Sequence, residues 1–247
     1  MRLDVVFTPR GLTTAEVQGR TVFMVDVLRA STTMCAALSH GARAIVPAAS
    51  TEEALRLAQT LGSDDVLLAG ERNCKPIPGF ALGNSPAEMK PEVVRGKTVV
   101  MTTTNGTAAL LAVQGAARVL VAGAVNFGVA GERAREIWER DRDLLILCAG
   151  RENHFALDDA YCAGRLVEAA LGGPRGRKGL SDAALAALDL VRRYGRRWER
   201  PLLTSRAGRE LIELGMRDDV LEAARADAYP VLPVFHERRV TVPDSIP

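Results

Sequence analysis

Short apolar runs that stop abruptly in polar, glycine-bearing segments recur along this chain, and they predict buried strands whose ends open onto loops and helix starts. The clearest runs from Thr98 to Met101 (Thr-Val-Val-Met), breaks into Thr102-Thr103-Thr104-Asn105-Gly106-Thr107, and continues at once into the helix-forming Ala108–Val113. That order reads as strand, polar loop, helix N-terminus. A second copy lies upstream: Thr21–Val25 (Thr-Val-Phe-Met-Val) runs into Asp26-Val-Leu-Arg29-Ala-Ser31-Thr32-Thr33 and then the helical Met34–Leu38. Further along, Gly41-Ala-Arg-Ala-Ile-Val matches Gly115-Ala-Ala-Arg-Val-Leu, an offset of about 75 residues. The expectation is an α/β fold, a layered α/β/α arrangement with a mostly parallel sheet and an internally duplicated βα unit. Residues 1–247 then form a single domain built from two similar halves.

The remaining pattern supplies further strands at Leu3–Phe7, Ala44–Val46, Asp65–Ala69, Arg118–Ala122 and Leu144–Cys148. Helical spacing covers a stretch capped by Ser50 and closed near Gly62, then Ala130–Arg140, Ala160–Leu171, Ser181–Tyr194, Thr204–Leu214 and Asp218–Ala226. Between Asn73 and Pro91 periodicity lapses into a long loop. Its apolar Ile77, Phe80 and Leu82 predict that it packs down, and Gly83-Asn84-Ser85-Pro86 predicts a tight turn facing a substrate. Gly172–Gly179 reads as an exposed loop, and the proline-bearing Val231–Thr241 as one or two edge strands.

Candidate chemistry collects at the strand ends, where ligands bind in open parallel sheets. Hydroxyls and backbone N–H groups at the start of a helix make an anion cradle, so Thr102 to Thr107 is a candidate phosphate site; the same residues can equally be a helix cap and a turn. Asp26 with Arg29, and Glu71 with Arg72, each place a carboxylate and a guanidinium beyond an apolar run. A carboxylate there suits Mg²⁺ and an arginine fork suits phosphate oxygens, while a surface ion pair is the alternative reading. Asp158 and Asp159 stand before a helix, where capping is the simpler role, and His154 has no nameable partner.

Composition narrows the classes. Thirty-two basic against 30 acidic residues leave a net charge of +2, so nothing points to nucleic acid, and the basic stretches Arg175–Lys178 and Arg192–Arg200 read as solvated surface. With 47% hydrophobic and 25% charged residues the chain is ordinary globular protein. No signal-peptide body and no membrane-length apolar run are present, so no membrane partner and a cytoplasmic location are expected. Cys35, Cys148 and Cys162 sit among small apolar residues as core filler, and with Cys74 they form no Cys-x-x-Cys pair. The apolar composition and proline-rich tail leave room for a homodimer.

Several of these segments together resemble the 2-phosphosulfolactate phosphatase (ComB-like) family: Val25-Asp26-Val-Leu-Arg29-Ala-Ser31-Thr32-Thr33, Gly70-Glu71-Arg72 with Gly79-Phe80-Ala-Leu-Gly83-Asn84-Ser85-Pro86, Thr102–Thr107, Cys148-Ala-Gly150 with Leu157-Asp-Asp159, Ser205-Arg-Ala-Gly208, and Asp219-Val. The resemblance spans roughly residues 4–240. It implies a Mg²⁺-dependent phosphatase that hydrolyses 2-phosphosulfolactate to sulfolactate and phosphate in coenzyme M biosynthesis. Carried onto this sequence, it implies Asp26, Glu71 and Asp159 as metal ligands, and Arg29, Ser31, Thr32, Thr33 and Thr102, Thr103, Thr104, Asn105, Gly106 and Thr107 around the phosphoryl group. Arg72, Asn84 and Ser85 are then expected at the sulfonate or carboxylate end. Three departures fall beside this expected pocket: Ala81 where the family has an acid, Ala108 where it often has arginine, and Asn73-Cys74 where it is glycine-rich. Two other readings stay open, a phosphatase of another small phospho-hydroxy acid and a phosphometabolite-binding module without turnover.

Overall fold

The computed structural model of the chain describes residues 2–62, 65–141, 143–172 and 178–243. Most of the stretch Arg175–Lys178, and of the loop expected at Gly172–Gly179, lies outside these residues. The strands are β1 (Arg2–Val6), β2 (Thr21–Val25), β3 (Ala44–Pro47), β4 (Val66–Arg72), β5 (Lys75–Pro76), β6 (Thr98–Thr102), β7 (Arg118–Ala122), β8 (Asp143–Cys148), β9 (Val234–His236) and β10 (Arg239–Thr241). The helices are α1 (Thr14–Val17), α2 (Ala30–Ser39), α3 (Thr51–Leu61), α4 (Pro91–Val94), α5 (Gly106–Ala112) and α6 (Phe127–Arg140). After them come α7 (Leu157–Leu171), α8 (Asp182–Tyr194), α9 (Glu199–Thr204), α10 (Arg206–Glu213) and α11 (Arg217–Ala223).

All ten strands form one sheet in the order β1-β8-β2-β7-β9-β10-β3-β6-β4-β5. It consists of two parallel blocks, β1-β8-β2-β7 and β3-β6-β4, joined by the antiparallel hairpin β9-β10, with the short β5 antiparallel to β4 at the edge. The tail was expected at an edge, and it is instead the seam: β9 pairs with β7 at Val119↔Phe235, and β10 with β3 at Val240↔Ile45. Its prolines sit outside the paired residues, where a missing N–H costs no ladder bond. Both edges of the hairpin are thereby taken up, so the tail leaves no free strand for a second copy.

The repeated unit now has a geometric meaning. One copy runs β2-α2-β3 from the first block to the second, and the other runs β6-α5-β7 from the second to the first. The copies cross, with β2 beside β7 and β3 beside β6.

Side chains alternate across the central strands, which is why these runs are apolar throughout. Phe23, Val25, Leu120, Leu144 and Ile146 pack on one face against α6, α7 and α8. Val22, Met24, Val119, Val121, Leu145 and Leu147 pack on the other with α2 and α5 residues such as Met34 and Leu110. A smaller cluster, Val46, Ala54 and Val100, seats α3 on the second block. Local signals behave as read: the Ser50 hydroxyl accepts from Glu53 N at 3.1 Å, and Gly62 ends α3 with φ +54°. Burial raises the thiols of Cys35, Cys148 and Cys162, as suits core filler. No helix among the described residues is long and apolar enough to cross a membrane.

Candidate active site

The two copies of the repeat bring their helix starts together. The N-terminal residue of α5, Gly106, packs against the first turn of α2 and the Asp26 carboxylate; a Cβ built on it would lie 2.5 Å from Ala30 Cβ and 2.6 Å from Asp26 Oδ2. Only glycine admits that approach. Beside the contact lies an open cavity lined by Asp26, Leu28, Arg29, Glu71, Asn73, Cys74, Asn84, Thr103, Thr104, Asn105, Arg151 and Glu152.

Of the residues expected here, Asp26, Arg29, Glu71, Asn84, Thr103, Thr104 and Asn105 do line this cavity. Most of the other hydroxyls are spent on holding the backbone. Ser31 Oγ accepts from Asp26 N (2.9 Å), Thr32 Oγ1 donates to Val27 O (2.9 Å), and Thr33 Oγ1 donates to Asn84 O (2.9 Å). Thr107 Oγ1 accepts from Thr103 N while Thr103 Oγ1 accepts from Thr107 N, both at 3.1 Å, a reciprocal cap on α5. The Thr102 hydroxyl accepts from Arg72 Nη2 at 2.9 Å, and Arg72 Nη1 returns to the Glu71 carbonyl at 2.7 Å. Arg72 is therefore folded along its own strand rather than along the cavity wall. Ser85 is also set back, its hydroxyl donating to Asp219 Oδ1 at 2.6 Å. Ala81 and Ala108 are exposed and do not line the cavity, so these two departures from the family pattern leave its wall intact.

Four carboxylates crowd the strand ends. Burial pushes Asp26 up to about 7; the Ala30 amide, bonded to its Oδ1 at 3.2 Å, works the other way, and the Asp158 and Glu71 carboxylates add to the rise. Asp158 is pushed up to about 6, chiefly by burial. Asp159 stands well above the ordinary carboxylate range through burial and then through Asp158 and Asp26. Its two oxygens accept from Val27 N (2.9 Å) and Gly150 N (3.0 Å), so it latches the loops after β2 and β8 together from behind the wall. Glu71 accepts from Thr104 N at 2.7 Å and from Cys74 N at 2.8 Å, fixing both loops that flank it.

The cations are held as firmly. Arg29, only 5% exposed, donates to Asp219 Oδ2 at 2.6 Å and to the Cys74 carbonyl at 3.0 Å. Arg151, on the loop after β8, is ion-paired with Glu210 of α10. Asn73 and Cys74 make the β4-β5 turn with φ of +51° and +65°, a left-handed pair of the kind glycine adopts most readily. The roles of Arg151, Glu210, Asp158 and the Cys74 backbone escape sequence reasoning. Two signals were available: Asp158 stood in the family pattern beside Asp159 and read as a helix cap, and the Asp219-Val pair stood in it without a role.

Six buried side-chain polar atoms among the described residues have no hydrogen-bond partner, and three of them, Asn84 Oδ1, Thr104 Oγ1 and Arg151 Nε, belong to cavity-lining residues. A fourth, Asp158 Oδ1, belongs to the carboxylate cluster. Native proteins pair nearly all such groups, so their concentration at one cavity marks a place built for a polar ligand.

Comparison with known proteins agrees with the geometry. The family model described as 2-phosphosulpholactate phosphatase matches residues 6–238. A protein of Symbiobacterium thermophilum, named a probable 2-phosphosulfolactate phosphatase, is 40% identical over 227 residues, covering 92% of this chain and 96% of that one. Proteins bearing the same name from Deinococcus radiodurans (40% over 213 residues, 86% of each chain) and Clostridium novyi (30% over 243 residues, 98% of this chain and 100% of the other) are similar along comparable lengths. With residues 6–238, from the end of β1 to the turn of the C-terminal hairpin, inside the match, the chain belongs to the 2-phosphosulpholactate phosphatase family.

Proposed function

We propose that this protein is a Mg²⁺-dependent phosphoric monoester hydrolase that converts 2-phosphosulfolactate to 3-sulfolactate and phosphate, a step of coenzyme M biosynthesis. The observation that carries the reading is the cavity wall itself: carboxylates, a buried arginine and unpartnered polar atoms of Asn84 and Thr104 converge where two helix starts meet.

Mg²⁺ takes oxygen ligands, keeps several waters, and is commonly held by one or two protein carboxylates together with substrate phosphate. Among the described residues no three His, Cys, Asp or Glu side chains form a ready-made cage. Apart from the Cys74 thiol, which burial holds protonated, the donors at the cavity are carboxylate, amide and hydroxyl oxygens, with Asp158 Oδ1 unpartnered behind them, and this fits a hard cation better than a soft one. Asp26 and Glu71 would hold the ion, with Asp159 orienting the backbone around them. When bound, Mg²⁺ supplies neutralising charge for the phosphoryl oxygens.

The chain's own residues do the positioning that dominates phosphoryl transfer. Arg29, fixed by Asp219, presents its guanidinium to the phosphoryl group, and the loop Thr103–Asn105 and Asn84 close around the remaining oxygens. Asp26 is wedged between the Ala30 amide and Gly106, which supports a fixed carboxylate beside direct water attack over a mobile nucleophile.

Phosphate release from 2-phosphosulfolactate, 2-phospholactate and 2-phosphoglycolate, each with Mg²⁺ and with excess chelator, tests the reading. Metal-dependent turnover greatest on the sulfonate is expected. Even turnover of all three would discard the substrate, no turnover would discard the activity, and a trapped phospho-Asp26 would discard direct water attack.

A further inference from the structure

We propose that Arg151 holds the second oxyanion of the substrate, the carboxylate or sulfonate remote from phosphorus, and that Glu210 is its positioning residue; this rests on the phosphatase reading above.

The cavity carries two arginines, and each is braced by an acid from the C-terminal helices: Arg29 by Asp219 of α11 and Arg151 by Glu210 of α10. They meet across Cys74. Arg29 donates to its carbonyl, and the Arg151 guanidinium stands beside its thiol, a thiol that burial nevertheless raises. Arg29 lies next to Asp26, whose carboxylate belongs to the phosphoryl end; Arg151, beside the Cys74 thiol and braced separately, is the second cavity arginine and is assigned to the distal end.

The Arg151 side chain is 12% exposed, and its Nε–H finds no acceptor although the guanidinium is already paired with Glu210. A fork with one edge anchored and a buried donor unused is poised for an incoming oxyanion. The loop that carries it is tied down, with Glu152 N donating to Asn105 Oδ1 at 2.9 Å and Gly150, Glu152 and Asn153 in left-handed conformations. Glu152, the acid following Arg151, is exposed to solvent, while the Arg151 guanidinium is only partly exposed and lines the cavity. Arg72, the arginine that sequence places at this end, is committed to Thr102 and the Glu71 carbonyl.

The test compares kcat/KM of the wild type, Arg151→Gln, Arg151→Lys and Glu210→Gln on 2-phosphosulfolactate, 2-phospholactate and isopropyl phosphate, which has the phosphoryl group and carbon count but no second anion. In Arg151→Gln the preference for 2-phosphosulfolactate over isopropyl phosphate falls roughly 100-fold. Arg151→Lys, which keeps the charge and loses the fork, gives a smaller fall of roughly 10-fold, and it carries the test if Arg151→Gln does not fold. Glu210→Gln raises KM for 2-phosphosulfolactate more than it lowers kcat. If the preference over 2-phospholactate collapses as well, Arg151 takes the sulfonate; if that preference survives, it takes the carboxylate. An unchanged preference, or equal loss on all three esters, overturns the proposal while leaving the phosphatase reading in place.

Calorimetric titration separates the two readings. Arg151→Gln weakens 3-sulfolactate binding roughly 100-fold and weakens inorganic phosphate binding far less. Should the wild type release no phosphate from any ester, the phosphatase reading falls, and Arg151 is judged on this titration alone. Sulfolactate affinity that is absent in the wild type, or unchanged in the variant, overturns it.

Discussion

Gly106→Ala probes the meeting of the two helix starts directly. Gly106 is the first residue of α5 and has no positive φ, so alanine is conformationally acceptable there and by helix propensity would stabilise by up to about 1 kcal/mol. Packing opposes it. The new methyl would stand 2.5 Å from Ala30 Cβ and 2.6 Å from Asp26 Oδ2, and reaching an ordinary contact of 3.4 Å requires a shift of nearly an ångström. A carboxylate oxygen can swing away, but Ala30 Cβ moves only with the backbone of α2. Such overpacking costs about 1–3 kcal/mol, so a net destabilisation of about 1–2 kcal/mol and a melting-temperature drop of roughly 3–6 °C are expected. Activity should suffer more, because a displacement of this size at a catalytic carboxylate costs on the order of 100-fold. The assay pairs thermal melting with kcat/KM for phosphate release, and Gly123→Ala, whose Cβ would have no neighbour closer than 3.8 Å, serves as control. A Gly106→Ala protein as stable and as active as the wild type would refute the argument that Asp26 is positioned by this close approach.

Asp26→Asn should abolish turnover while keeping the fold, checked by activity and circular dichroism. Asp219→Asn weakens the charged brace on Arg29 and should lower kcat/KM by roughly 10- to 100-fold, whereas Asp219→Ala, which leaves a buried guanidinium short of its partner, should also cost stability by about 3–5 kcal/mol. Asp26 and Asp158 have pKa values raised to about 7 and about 6, so the folded state binds more protons than the unfolded chain between roughly pH 4 and 7. Their contribution is thus fully present near pH 4 and lost as pH rises through 6 to 7; in chelator the melting temperature should fall over that window, less steeply in Asp26→Asn, and Mg²⁺ should recover it at pH 8. A chelator profile that rises across the window in the wild type and is unmoved by Mg²⁺ would count against the carboxylate cluster. Gly164→Ala, whose Cβ would strike the Ala187 carbonyl at 2.1 Å between α7 and α8, should destabilise by about 1–3 kcal/mol or more without altering KM.

Strands were legible wherever burial on both faces made the run continuously apolar, as at Thr21–Val25 and Arg118–Ala122, whose ends agree with the structure residue for residue. Helix boundaries were legible where a cap or left-handed glycine marked them, as at Ser50 and Gly62, and less so at α7, which starts at Leu157 and takes Asp158 and Asp159 into its first turn. At the site, Asp26, Glu71 and the Thr103–Asn105 loop could be found because strand ends are where ligands bind. The cations were harder. An arginine's length lets it fold along its own strand, as Arg72 does, or reach a cavity from a loop with no local pattern, as Arg151 does. Which of these happens depends on acids more than fifty residues away in sequence, Glu210 for Arg151 and Asp219 for Arg29.

The misplaced tail shows why the crossing of two βα units matters to the chemistry. Val231–Thr241 read as an edge because proline removes ladder donors, and that reasoning concerns single residues. The pairing that decides its place is non-local: β7 and β3 each belong to a different parallel block and present sides that only an inserted hairpin fills. Once the hairpin is in, the two crossed units β2-α2-β3 and β6-α5-β7 have a fixed relation, and the N-termini of α2 and α5 are brought against each other at Ala30 and Gly106. A single βα unit offers one helix start and one strand end. Two of them, crossed and pinned by the tail, put the Asp26 carboxylate of one copy beside the threonine loop of the other, and Glu71, from the neighbouring β4, accepts from Thr104 N of that loop. The site is a property of the pair of units: Asp26 and the threonine loop are each legible within one copy, and the crossing is what brings them together.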